Sequence, residues 1–229
     1  MTYPPKYTVL IATYNRPKHL LRVIRKLHGC RIKIYDDAST EDYTKVKQYL
    51  AKHFDSYAYH RLPVNLGRKG FYKMHQIMYA QMQGEQYDYL IQIPDDMIPI
   101  DDFTRVATAR LHECKADLLN PIILPHHSTE WRQKQIPFKV VNGRKYWMMN
   151  WFECYITTPT YLAKMNHTCP KVSDTVINDP TRSSGVGWVI SQAFAKANGK
   201  IAVVDSSLLV HVGDESVMTP GREIRTLKY

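Results

Sequence analysis

Four short apolar runs, separated by stretches of helical spacing, limit what this chain can fold into more than any other feature. Tyr7 to Ala12, Arg31 to Tyr35, Tyr57 to Arg61 and Tyr87 to Ile93 have strand length, the third being the least apolar. Between the first two, Pro17 stands where a helix starts and its missing N–H costs nothing. Leu20, Leu21, Ile24 and Leu27 follow at helical spacing, and His28-Gly29 closes the element. Tyr43 to Phe54 reads as a second helix. Asn65-Leu66-Gly67 turns into a third from about Gly70, with Phe71, Met74, Met78 and Met82 on one core-facing stripe. Strands alternating with helices in this way bury their apolar faces in a mostly parallel sheet, with right-handed crossovers and helices on both faces. The expected class is α/β, and 229 residues suit one such domain.

The second half is less periodic. Asp102 to Cys114 reads as a helix and Asp117 to Ile123 as a strand. Asn142-Gly143, inside Val140 to Lys145, supplies the positive φ angles of a type I′ hairpin turn, and Tyr146 to Phe152 continues the hairpin. Gly187 to Asn198 is a helix stopped by Asn198-Gly199. Ile201 to Val204 and Leu208 to Val212 are closing strands.

Cys30, Cys114, Cys154 and Cys169 have no Cys-x-x-Cys spacing, which argues against a zinc ribbon or a secreted disulfide framework. The amino terminus lacks the apolar core of a signal peptide, and no apolar run reaches roughly 18 residues. A soluble, cytoplasmic protein without membrane insertion is expected. The formal charge of +10 favours a polyanionic partner, with plain solubility as the alternative.

The chemistry is concentrated where Tyr89-Leu90-Ile91-Gln92-Ile93 runs into Pro94-Asp95-Asp96. A buried strand ending in two carboxylates presents them at its carboxyl edge, where ligands bind in open α/β sheets. Two hard oxygen ligands suit Mg2+ or Mn2+ already carrying a diphosphate. Asp-Asp is also ordinary turn and cap chemistry.

Several segments occur in an order that resembles the GT-A fold glycosyltransferases, particularly the family 2-like group. Val9-Leu10-Ile11-Ala12-Thr13-Tyr14-Asn15-Arg16 is similar to the opening strand and loop that cradles the nucleobase. Ile34-Tyr35-Asp36-Asp37-Ala38-Ser39-Thr40 resembles the second-strand signature. Asn65-Leu66-Gly67-Arg68-Lys69-Gly70 resembles the glycine-containing loop, and Pro94-Asp95-Asp96 the metal motif. Leu208-Leu209-Val210-His211-Val212-Gly213 is similar to the late strand whose histidine often completes the metal's ligands. The likeness covers nearly the whole chain but is thin from Pro121 to Asp179.

The resemblance implies a nucleotide-sugar half over residues 1–115, an acceptor half over 116–212 and a basic tail over 213–229. Asp96 and His211 would hold Mn2+ or Mg2+. Ala12, Thr13, Tyr14, Arg16, Asp36, Asp37, Asn65, Arg68 and Asp95 would line the site of a nucleotide-sugar donor, UDP-linked by default. Against this, Asp36 and Asp37 can simply cap the next helix, and a histidine in an apolar strand is often a hydrogen-bonded core residue. The acidic pair that inverting members keep before the last long helix is absent: Val186 and Gly187 stand there. Asp174 or Asp179 can serve as general base instead, with Glu153 a lesser candidate. Otherwise the leaving phosphate takes the acceptor proton, so stereochemistry stays open.

Trp131, Tyr146, Trp147 and Trp151 offer flat faces for an acceptor, or form a hairpin core. Arg132, Lys134, Lys139, Arg144 and Lys145 lie among them, with more cations on the first helix (Lys18, Arg22, Arg25, Lys26) and in the tail (Arg222, Arg225, Lys228). Basic residues interleaved with aromatics suit a nucleic-acid path. The acceptor expected on this basis is a hydroxymethylated pyrimidine in DNA, as for some phage enzymes, which would place the protein in the host cytoplasm. A surface polysaccharide or lipid-linked sugar is the rival acceptor, and a non-catalytic DNA-binding module the rival class.

Overall fold

The computed structural model describes residues 4–123, 139–148, 154–179 and 184–212. Among them, β1 (Tyr7–Thr13), β2 (Arg31–Asp36) and β3 (Tyr57–Arg61) alternate with α1 (Pro17–Ile24), α2 (Thr44–His53) and α3 (Gly67–Ala80). There follow β4 (Tyr89–Gln92), β5 (Met97–Pro99), α4 (Phe103–Cys114), β6 (Leu118–Asn120), β7 (Lys139–Val141) and β8 (Arg144–Met148). The last described elements are β9 (Tyr155–Thr157), α5 (Pro159–Lys164), α6 (Asp174–Asn178), α7 (Val186–Lys196), β10 (Ile201–Val203) and β11 (Leu209–His211).

Nine strands form one sheet in the order β3-β2-β1-β4-β9-β6-β10-β8-β7. β1 pairs in parallel with β2 on one side and β4 on the other, and every strand except β9 and β8 runs the same way. The chain lays β2 and β3 to one side of β1, then returns to place β4 on the opposite side. Strand order therefore reverses between β1 and β4, the point beyond whose carboxyl ends open α/β sheets form their ligand crevice.

Side-chain alternation along each strand feeds two cores. Val9, Ile11, Ile34 and Ile91 pack under α1, α2 and α4, while Leu10, Tyr35 and Leu90 pack under α3, α5 and α7. The methionine stripe of α3 does form core, with Met74, Met78 and Met82 buried. The hairpin turn forms as its sequence requires, with φ of 51° at Asn142 and 77° at Gly143. Asn198 takes a left-handed φ of 57° where α7 stops, and Gly199 N–H closes the end on Phe194 O at 2.9 Å.

Some bounds differ from the sequence reading. The first helix ends at Ile24, and the third starts at Gly67. β5 and β9, three residues each, carry no pattern of their own. β9 wedges antiparallel between β4 and β6, whereas β5 leaves the main sheet and pairs antiparallel with β11. In that ribbon His211 lies opposite Met97, and Val212 N–H donates to Asp96 O at 2.9 Å. Among the described residues no helix is long and apolar enough to cross a membrane.

Candidate functional site

The crevice between β1 and β4 is assembled from loops tied to one another. Asn15, left-handed with φ of 52°, aims its Oδ1 at the second βα loop, accepting from Thr40 N at 2.7 Å and Glu41 N at 3.2 Å. Asn15 N–H donates to Ser39 Oγ at 2.8 Å, and Arg16 N–H to the Tyr43 hydroxyl at 3.0 Å. The backbone from Thr13 to Arg16 is thereby held against the start of α2. Ala12 and Tyr14 on this segment are partly exposed.

Asp95 and Asp96 follow β4 directly and are 6% and 8% exposed. Thr13 Oγ1 donates to Asp95 Oδ2 at 2.7 Å. Arg16 Nη1 bonds Asp96 Oδ2 and lies 3.5 Å from Asp95 Oδ1. His211 Nε2, delivered by β11, stands 3.6 Å from the same Asp96 Oδ2. Burial, reinforced by the neighbouring Asp96 charge, pushes the Asp95 carboxyl up; Arg16 and Thr13 act in the opposite direction. Sequence reasoning paired Asp96 with His211, and the structure brings them together.

That pair is two protein ligands. Among the described residues no group of three His, Cys, Asp or Glu could hold a metal ion alone. Mg2+ and Mn2+ sites built around substrate phosphates commonly use one or two carboxylates and fill the remaining positions with phosphate oxygens and water. Asp96 and His211 fit an ion of that kind, provided Arg16 leaves the carboxylate.

The carboxylates after β2 are engaged elsewhere. Asp36 is fully buried; its Oδ1 accepts from Ser39 N at 2.8 Å and its Oδ2 from the Tyr59 hydroxyl at 2.6 Å. Asp37 accepts from Leu66 N at 2.7 Å, Gly67 N at 3.0 Å and Asn65 Nδ2 at 3.2 Å. Burial pushes the Asp37 carboxyl up, and the two backbone N–H groups partly offset this. Asp36, Asp37 and Asn65, expected to line the donor site, here fasten the loops beyond β2 and before α3. Asp37 caps the start of α3, not the helix that follows it in sequence, while Asp36 caps no helix and ties the Ser39 turn to β3.

Arg68, also expected to line the donor site, bonds the end of α6. Its Nη2 donates to Ile177 O at 2.6 Å, while Lys69 Nζ reaches Asn178 Oδ1 at 3.2 Å. A cation on the last carbonyls of a helix is favourable, and it ties α6 to the start of α3. Asp179 follows α6 directly. Asp174, at the other end of α6, is exposed and pairs with Lys171 at 3.1 Å.

The acceptor residues are dispersed. Trp147 is 5% exposed and packs within the sheet edge, so its face is not open to a sugar or base. Tyr146 is fully buried and donates to Glu113 Oε2 at 2.5 Å. Arg144 pairs with Glu113 at 2.8 Å, and Lys145 is exposed. Trp131, Trp151 and Glu153 lie outside the described residues. Sequence reading missed Trp188, 52% exposed in the first turn of α7. It falls out of phase with the buried series Val186, Ile190 and Phe194, and that phase was the available signal.

The reversal of strand order, the carboxylates beyond β4 and the histidine ribbon define an α/β fold of the GT-A type, with a large, mostly parallel central sheet. No protein-family model and no curated protein matches the chain. Solved structures do. TarS of S. aureus in complex with UDP-GlcNAc gives a TM-score of 0.61 at 14% identity, over 96% of this chain and 62% of that one. TarS residues 1–349 with UDP gives 0.58 at 15%, over 91% and 61%. The mannosyltransferase PcManGT from Pyrobaculum calidifontis, in complex with GDP-Man and Mn2+, gives 0.57 at 14%, over 88% and 57%. The chain spans less than two thirds of the length of each, and at these identities the likeness is one of fold.

Proposed function

We propose that this chain is a divalent-metal-dependent glycosyltransferase that moves a sugar from a nucleoside-diphosphate donor, UDP in the default case, to a hydroxyl acceptor. The observation that carries this reading is the placement of Asp95 and Asp96 at the β1/β4 reversal point, with His211 3.6 Å from Asp96. Structures of the same fold hold UDP-GlcNAc in one case and GDP-Man with Mn2+ in another, which supports the donor class.

A bound Mn2+ or Mg2+ would neutralise the charge that builds on the departing diphosphate. Asp96 and His211 would hold it from two elements that meet only in the fold. Thr13 fixes the Asp95 carboxylate beside them, where it orients the metal's surroundings or bonds the ribose. Tyr14 packs on the base, and Arg16 neutralises phosphate charge with its planar fork. Asp179, next to the helix end that Arg68 and Lys69 hold against α3, is the first candidate to take the acceptor proton. Asp174 is the second.

The net charge of +10 favours an anionic acceptor, and a hydroxymethylated pyrimidine in DNA is the specific form proposed. Its C5 hydroxymethyl projects into the major groove, open to attack there or after the nucleotide is flipped out. The test is a donor screen with Mn2+, offering hydroxymethylated duplex, plain duplex and neutral oligosaccharide. UDP release with the hydroxymethylated duplex alone is expected. Transfer only to oligosaccharide moves the acceptor to the polysaccharide class; no consumption of any nucleotide sugar ends the transferase reading. Asp96→Asn should lower kcat/KM by roughly a hundredfold or more while the protein stays folded, since Asp95 remains as counter-charge to Arg16. Full turnover in that variant removes the metal assignment.

A further inference from the structure

We propose that the Arg16 guanidinium occupies the cation's place when no donor is bound, so that Arg16 and the divalent ion compete for Asp96 and the ion enters together with the nucleotide. This deepens the reading above and rests on its metal site. Two nitrogens converge on one atom: Arg16 Nη1 bonds Asp96 Oδ2, and His211 Nε2 stands 3.6 Å from that same oxygen. An ion held by Asp96 and His211 would compete with Arg16 for the same carboxylate.

Charge makes the exclusion sharp. The side chains of Arg16, Asp95 and Asp96 are only 10%, 9% and 11% exposed, so little water screens them. Two adjacent carboxylates in such a place repel each other unless a cation sits between them, and Arg16 supplies it in the free protein. A dication on Asp96 would then face the guanidinium at close range. Each cation therefore weakens the hold of Asp96 on the other.

The loop is built for a side chain that moves on a fixed backbone. Asn15 is clamped by Thr40 and Glu41, and Arg16 N–H is held by the Tyr43 hydroxyl at 3.0 Å. Displaced from Asp96, the guanidinium has an obvious destination in the donor, because a diphosphate offers the paired oxygens that its fork matches. Metal alone leaves Arg16 without that partner; metal with diphosphate gives both the ion and the guanidinium an anionic partner. The two ligands therefore assist each other's binding, and the coupling is reciprocal.

The test counts free Mn2+ by electron paramagnetic resonance, with and without UDP, in the wild-type chain, Arg16→Met and Arg16→Lys. Without UDP, Arg16→Met should bind Mn2+ about tenfold more tightly than wild type. Arg16→Lys, which keeps the charge but loses the fork, should fall between them. UDP should tighten Mn2+ binding by about tenfold in wild type and far less in Arg16→Met. Arg16→Met combined with Asp96→Asn should lose the gain, which fixes the ion at Asp96. If Arg16→Met does not fold, judged by thermal melting, Arg16→Lys against wild type decides the matter. Equal Mn2+ affinity across the folded variants, or weaker binding once Arg16 is replaced, overturns the proposal. This readout needs no sugar transfer. The predicted order without consumption of nucleotide sugar keeps the competition and drops the transferase; Mn2+-dependent transfer without that order does the reverse.

Discussion

At the scale of single residues, the site separates carboxylates that face the crevice from carboxylates that build it. Asp37 belongs to the builders, since its oxygens hold Leu66 N–H, Gly67 N–H and Asn65. Asp37→Ala strips the cap from α3 and should cost about 2 kcal/mol, measured by urea unfolding. A loss of nucleotide affinity at unchanged stability would instead restore the direct donor contact. The doublet at Asp95-Asp96 was legible because an apolar run leads straight into it, so local pattern sufficed. Asp37 was ambiguous in sequence because its partners lie 28 to 30 residues away. The bond of Arg68 to Ile177 was hidden for the same reason, since it spans 109 residues. Which acceptor or donor a charged side chain meets depends on loops that only the complete fold brings together. Trp147 shows the converse: nothing local distinguishes a tryptophan buried beside β10 from one that offers its face to a sugar.

Elements were read well wherever periodicity ran long enough to register. α2 and α3, along with β1, β2 and β4, announce themselves by spacing; β5 and β9 are three residues long and defined by partners distant in sequence. The contact between α3 and β4 carries a pH dependence of its own. His75 on α3 is buried; its Nδ1 meets Phe71 O at 3.2 Å, and its Nε2 faces Gln92 Nε2 of β4 at 2.7 Å. That geometry is satisfied by a neutral ring, with Nδ1–H donating and Nε2 accepting. Burial pushes its pKa down to about 4 from an ordinary 6.5. In the unfolded chain the ring protonates as pH drops through 6.5, while in the fold it stays neutral until about 4. Stability is therefore complete above that upper value and declines across the window, by about 3 kcal/mol once both limits are passed. Unfolding midpoints measured along this range should show the decline in wild type and a flatter profile in His75→Gln. Identical profiles would mean that other groups set the acid limit.

For the molecule as a whole, parallel topology decides where charge is useful. A helix that follows a parallel strand starts at the strand's carboxyl edge, so the first turns of α1, α2 and α3 all begin around the crevice. Lys18, Lys45, Lys47 and Lys69 stand in those turns and are exposed. Lys47 lies over the Tyr59 ring at 4.6 Å, and Lys69 reaches Asn178 at 3.2 Å. Lys18 and Lys45 extend the positive field outward from the same rim. The sequence supplied only the excess charge; that these four lysines share one edge follows from topology. If the acceptor is a polyanion approaching this edge, each phosphate neutralised releases counterions and makes binding salt-dependent. Lys18→Glu combined with Lys45→Glu should then raise KM for hydroxymethylated duplex DNA roughly tenfold at about 50 mM salt, with the gap narrowing toward about 200 mM. KM for a neutral oligosaccharide acceptor should not respond to either change. An equal rise for both acceptors would point to altered structure at the helix starts. No rise for either would place the acceptor on another face and leave the basic rim as a solvated surface.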